Sequence, residues 1–167
     1  MLSFFNICSS DFIMRKRVKT IAEAIIRESF PLLEKRRISF LVFYLPYFGF
    51  SAWIPPFVRI IVISTRCRNM SDEVLTGILA HELCHQERYL HMGVSRYIRF
   101  AAGYIFSKAR QKQEERATDM LTIEKGYARQ LYQLTMISSA DKKHNDMIDN
   151  YLSPGEIRDI AIKAGKW

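Results

Sequence analysis

The chain has 167 residues, 49% of them hydrophobic, and its 25 Lys and Arg outnumber 17 Asp and Glu for a formal net charge of +8. That length and apolar fraction suffice for one domain with its own core, so neither disulfides nor a second domain is required. The basic balance admits acidic substrates, anionic lipid or nucleic acid, yet no helix-turn-helix, zinc ribbon or aromatic RNA-binding motif accompanies it, so nucleic acid is not an expected partner.

Residues 1–13 are apolar and are followed by Arg15, Lys16 and Arg17. A secretory signal places its charge before a longer apolar core, so the order here is reversed. The expectation is a leader or disordered tail over residues 1–13 ahead of a single domain over residues 14–167, with Met14 as the alternative start to Met1. Residues 15–34 space Val18, Ile21, Ala22, Ile25 and Leu32 among charges, which predicts a first amphipathic helix. Residues 38–45 and 58–65 are rich in Ile, Val and aromatics and predict two mostly buried strands, with a short edge strand over residues 50–54 between them. Pro46, Pro55, Pro56 and Arg59 interrupt this apolar region, leaving no run of about 20 residues able to span a bilayer, so a soluble protein is expected. Cys8, Cys67 and Cys84 are odd in number and lack C-x-x-C spacing, which points to reduced thiols in a cytoplasmic setting.

Asn69 or Ser71 caps the next predicted helix, Asp72 and Glu73 favour its first turn, and Gly93 ends it. Within it Val74, Ile78, His81 and His85 follow at steps of four, three and four, so both imidazoles continue an apolar stripe that faces inward. Residues 81–85 read H-E-L-C-H. Positions i and i+4 stack on one helix face, which lets His81 and His85 share one metal ion while Glu82 projects beside them as a base. Burying two imidazoles and a carboxylate on one stripe with no metal is costly. Cys84 lies off the metal-facing row and is expected to be a buried filler. His91 lacks the glycine that precedes the third histidine of longer zinc motifs, so it is expected at the surface.

A helical stretch over residues 94–110 sets Arg96 and Arg99 among Tyr97, Phe100, Tyr104 and Phe106, a pattern open to peripheral membrane contact. Packing against the preceding helix accounts for it more simply. A further stretch over residues 111–137, either separate or continuous with it through a kink, carries Glu115 as candidate third ligand, with Glu114 its immediate competitor. Asp119, one turn on, can accept a hydrogen bond from a ligating imidazole and fix its tautomer. Ser153, Pro154, Gly155 and Glu156 form a capping box that opens a terminal helix through Ala164.

With H-E-L-C-H at 81–85 and E-R-A-T-D at 115–119, the chain resembles the gluzincin metallopeptidases, and the compact minigluzincins most of all. The resemblance implies an α+β, zincin-like fold in which a small mixed sheet packs on an active-site helix and a glutamate-bearing helix. It implies a zinc endopeptidase acting on protein or peptide substrates, with His81, His85 and Glu115 holding Zn2+ and Glu82 activating a metal-bound water. Tyr127, His144 or Tyr151 would supply a donor to the oxyanion, with Tyr127 as the catalytic candidate. Two other readings stand beside this one. Small repressor-cleaving, regulatory metallopeptidases share the motif, and a latent zymogen or inactive zincin could serve as a binding module, with residues 151–167 as the candidate plug. An extended substrate would pair with the strand over residues 58–64 or with the edge strand before it. Oligomeric state has no signature here.

Overall fold

The computed structural model describes residues 2–140 and 149–167, and side chains from residue 11 onward. Among these residues seven α-helices accompany a three-stranded mixed sheet, an α+β architecture. Helix α1 (Leu2–Ser29) buries Met14, Val18, Ala22 and Ile25, a spacing that keeps one face against the core. The stretch through residue 13, expected as a leader or disordered tail, is helical from Leu2, and Asp11 within it pairs with Arg68. The chain leaves helical geometry at Phe30, and the single turn α2 (Pro31–Glu34) then buries Leu33 while Leu32 is exposed.

Strands β1 (Ile38–Phe43), β2 (Gly49–Ile54) and β3 (Val58–Ser64) lie in the order β1-β3-β2, with β1 parallel and β2 antiparallel to β3. Central β3 buries consecutive residues Ile61, Val62 and Ile63, as a strand covered on both faces does. Strand β1 departs from the expectation of a mostly buried strand. It is an edge strand in which only Val42 is buried, because alternation turns Leu41 and Phe43 outward. The predicted edge strand is β2.

Helix α3 (Asp72–Leu90) runs through the middle of the molecule, with β2 on one side and α1 against it. Its cap is Ser71, whose Oγ accepts from the Val74 amide at 3.3 Å. It ends at His91, two residues before the predicted Gly93, which instead starts α4 (Val94–Phe106). Extended backbone at Ser107 separates α4 from α5 (Lys108–Glu124), so the two are not one kinked helix. The helix expected to run through residue 137 is also broken, at Gly126, where φ is +95°. There Gly126 N–H donates to Ile123 O (2.9 Å) and Tyr127 N–H to Thr122 O (3.1 Å), the paired bonds that close a helix through a left-handed glycine. The reversal lays α6 (Ala128–Ala140) back on α3, where a Cβ on Gly77 would meet the Gln130 carbonyl oxygen at 2.5 Å. Helix α7 (Pro154–Lys163) carries the predicted capping box, with Ser153 N–H donating to Glu156 Oε2 at 2.8 Å and Glu156 N–H to Ser153 Oγ at 3.3 Å.

The main core joins α1, the sheet and α3 through Phe30, Leu33, Ile61, Ile63, Leu79 and Leu83, and a smaller one joins α5, α6 and α7 through Ile123, Leu131, Leu152 and Ile157. Among the described residues no helix is long and apolar enough to cross a membrane.

Candidate metal centre

His81 and His85 are buried on the α3 row that begins with Val74 and Ile78, as their spacing predicts. Helix α5 packs against that row and carries Glu115 to both rings. Glu115 Oε2 lies 3.1 Å from His81 Nε2 and 3.5 Å from His85 Nε2, and the three side chains bring donor atoms within 4.8 Å of one another. Ligand atoms on a tetrahedral ion with bonds of about 2.1 Å stand roughly 3.4 Å apart, so the observed distances bracket what such an ion needs. His81, His85 and Glu115 thus form a buried group able to hold a metal ion. Glu114 does not compete for it, because its carboxylate faces the other side of His85, 3.4 Å from Nδ1, and receives two bonds from Arg88 at 2.9 and 2.6 Å.

The outer nitrogen of each imidazole is tied back. His81 Nδ1 lies 2.9 Å from Asp119 Oδ1, an acceptor for its proton, and Nε2, 3.1 Å from Glu115 Oε2, is the nitrogen left to face a metal ion. Asp119 is held in turn by the Leu152 amide, which donates to Oδ2 at 2.9 Å. Thr118 spends its hydroxyl proton on Glu114 O (2.9 Å), so its oxygen is an acceptor for His85 Nδ1–H at 3.2 Å. The second oxygen of Glu115 accepts from the Tyr104 hydroxyl.

Charge at the site is unbalanced in favour of a cation. Arg88 answers Glu114, but the buried carboxyls of Glu82, Glu115 and Asp119 face two imidazoles. Burial opposes ionisation of Glu115, yet His85 and His81 hold it well below the usual carboxylate range. Burial likewise works against a charged His81, but bonds to Asp119 and Glu115 raise its pKa well above the ordinary value. Burial also opposes charge on His85, and the carboxylates, Glu115 foremost, lift it to about 9. A divalent ion at the three donors answers the same negative charge without protons.

Glu82 stands beside this group and binds none of it. Its carboxyl is pushed up, first by burial, and it lines two cavities that flank His81. The larger, about 250 Å³, is walled by Tyr89, Tyr97, Phe100 and Tyr104 and reaches His85 and Glu115. The other is walled by Phe48, Ile78, Leu131 and Leu134. Strand β2 begins directly over Glu82, where a Cβ on Gly49 would stand 2.5 Å from Glu82 Oε1. Tyr151 lines both cavities, and its ring centroid is 5.8 Å from that of His81.

Tyr127 is not brought to the site. The Gly126 reversal turns it toward α1, where its hydroxyl meets Ser29 Oγ at 3.0 Å and Glu28, and it lines neither cavity. His144 lies outside the described residues. Cys84 is fully buried behind the row, where it accepts from Thr122 Oγ1 at 3.4 Å, and burial pushes its thiol up to about 12. His91 is exposed at the end of α3.

Sequence reasoning missed Tyr104, Thr118 and Gln86. The spacing of Tyr97, Phe100 and Tyr104 marks a helix face, but nothing local tells that Tyr104 meets Glu115 eleven residues later. Gln86, adjacent to the motif, donates Nε2 to Ser51 Oγ (2.7 Å), Ala52 O (2.9 Å) and Ile60 O (3.1 Å), fastening the motif helix to the sheet. Comparison of the chain with protein-family models, curated proteins and solved structures finds no match.

Proposed function

We propose that this chain is a zinc-dependent endopeptidase of the gluzincin type, most like the minigluzincins, acting on protein or peptide substrates. The observation that carries the reading is the convergence of His81 Nε2, His85 Nε2 and the Glu115 carboxylate at ligand spacing, with both Nδ1 atoms tied back and a buried carboxyl, Glu82, alongside. Two neutral imidazoles and one carboxylate suit zinc and leave a position for substrate or water. Zinc bound there supplies Lewis acidity, which brings water deprotonation near neutral pH and polarises a scissile carbonyl.

The chain's own groups do the rest. Glu82 takes the water proton and returns it to the departing amine, a task suited to a carboxyl whose burial raises its pKa. Asp119 fixes the His81 tautomer, and the Tyr104 hydroxyl orients Glu115. Tyr151, whose ring stands by His81, takes the place of Tyr127 as donor to the developing oxyanion. Because β3 is the central strand, extended substrate pairs with β2, which begins over Glu82.

Elemental analysis and cleavage of an unfolded protein test the reading. Glu82→Gln retains zinc and loses about 10²- to 10⁴-fold in turnover, whereas His81→Ala loses the metal; equal cleavage by all three proteins would end the proposal.

The position of Tyr151 also favours a second reading, in which the segment before α7 holds the site shut as a zymogen. Tyr151 lies in both cavities, and the next amide is bound to Asp119. Tyr151→Phe keeps the ring and removes the hydroxyl. As an oxyanion donor it loses about 10²-fold in turnover on that change, while a rise in activity for Tyr151→Ala marks a blocking ring instead.

A further inference from the structure

Helix α4 is apolar on two sides and uses only one of them for packing. Its inner row, Tyr97, Phe100 and Tyr104, joins Tyr89 of α3 in an aromatic cluster with ring centroids 5.0 to 6.2 Å apart. By helical spacing the next sector carries Val94, Ile98, Ala102, Ile105 and Phe106, about a third of the circumference. That sector is open: Val94 is 45% exposed, Ile98 58%, Ile105 73% and Phe106 86%.

The border of the sector is basic. Residues 94–112 contain five Lys and Arg and no Asp or Glu. Arg99 and Arg96 follow Phe106 around the helix, both exposed. Arg110 lies so close over Gly103, between them, that its side chain fills the space a Cβ there would need. Among the described residues no carboxylate pairs with these three arginines.

We infer that the outer face of α4 docks on an anionic lipid surface, with Ile98, Ile105 and Phe106 among the acyl chains and Arg96, Arg99 and Arg110 at the phosphates. A convex helix with an apolar sector and a cationic edge matches such a layer on both counts. Nucleic acid would leave the apolar side chains without partners. The same helix walls the larger cavity through Ala101, Tyr104 and Ile105, so docking sets the mouth of that cavity beside the lipid headgroups. The inference does not depend on zinc or on peptide hydrolysis.

Sedimentation of the full chain with vesicles tests it without any activity readout. The protein pellets with phosphatidylcholine vesicles containing phosphatidylglycerol, stays in solution with phosphatidylcholine alone, and is released by salt. Ile98→Asp and Phe106→Asp each lower the pelleted fraction about tenfold, and the double change Arg96→Gln, Arg99→Gln lowers it severalfold, all with the wild-type thermal transition. Should an aspartate variant not fold, the exposed arginine pair carries the comparison. The inference is overturned if the wild type ignores anionic vesicles, if folded variants pellet as it does, or if the face instead joins two copies of the chain in the absence of lipid.

Discussion

Gly49 shows how one missing carbon can set where the carboxyl proposed as the base stands. Its φ is not among the left-handed ones, so the chain does not need glycine there for its backbone. What it provides is room, since a Cβ would stand 2.5 Å from Glu82 Oε1 and 3.0 Å from Ile78 Cγ2. Gly49→Ala therefore pushes the Glu82 carboxyl by about 1 Å while leaving the three donor residues in place, and misplacement on that scale costs on the order of 10²-fold in rate. The expected variant binds metal as wild type does and loses kcat with KM little changed. Wild-type kcat, or loss of metal, would show that the close approach does not position the base. At this scale the meeting of His81 and His85 was legible because a period of four on one helix is a local property. Glu115 and Asp119 share a face for the same reason, although Glu114 was separated from Glu115 only by seeing which side of His85 each approaches. The direction of Tyr127 depends on the turn before it, and Tyr104 finds its partner on another helix, so neither place is legible locally.

Between elements, the bond from Arg116 to Glu156 joins α5 to α7 on the far side of the Asp119 tether. Arg116 donates Nη1 to Tyr151 O at 3.1 Å and Nη2 to Glu156, whose carboxylate also closes the Ser153 capping box. Arg116 first, and then the Ser153 amide and hydroxyl, hold the Glu156 carboxyl at about 2. A carboxyl depressed by folding contributes stability that is complete above its unfolded value of about 4.3 and is lost as pH falls through the folded one. The pair is partly open to solvent, so most of its worth is the cap, about 1 kcal/mol. Glu156→Ala is then less stable by about that amount at neutral pH, and the gap narrows below about pH 4 and closes near 2. Urea unfolding across that range measures it, and a gap that persists unchanged to pH 2 contradicts the assignment. The capping box itself was plain in the sequence because its four residues are contiguous. The break at Gly126 is as local, yet apolar periodicity continues on both sides of it and masks the interruption. The composition of β1 suggests a buried strand, whereas burial follows from sheet order, which composition does not specify.

For the whole molecule, the short β-branched runs set among long amphipathic stretches agree with the α+β class that the family resemblance implies, whereas the pairing order β1-β3-β2 is not legible in them, because pairing is a contact between distant segments. The same division decides what metal removal does. The main core is built from α1, the sheet and α3 by apolar side chains, among them Val18, Phe30, Ile61, Ile63, Leu79 and Leu83. A fold supported in that way does not require an ion, unlike a small domain whose only core is the metal site. An ion held by His81, His85 and Glu115 would bind the folded state alone, because the three converge only when α5 packs on α3. At a free concentration about a thousandfold above the dissociation constant this adds roughly 4 kcal/mol. For a chain of this length each kcal/mol moves Tm by about 2–4 °C, so chelation lowers Tm by on the order of 10 °C while far-UV circular dichroism at 25 °C stays that of the folded protein. Glu115→Ala, lacking one donor, loses most of the zinc-dependent rise. Complete unfolding by chelator would mean that the core cannot stand without the site, and an unchanged Tm in zinc and in chelator would mean that the three donors hold no ion.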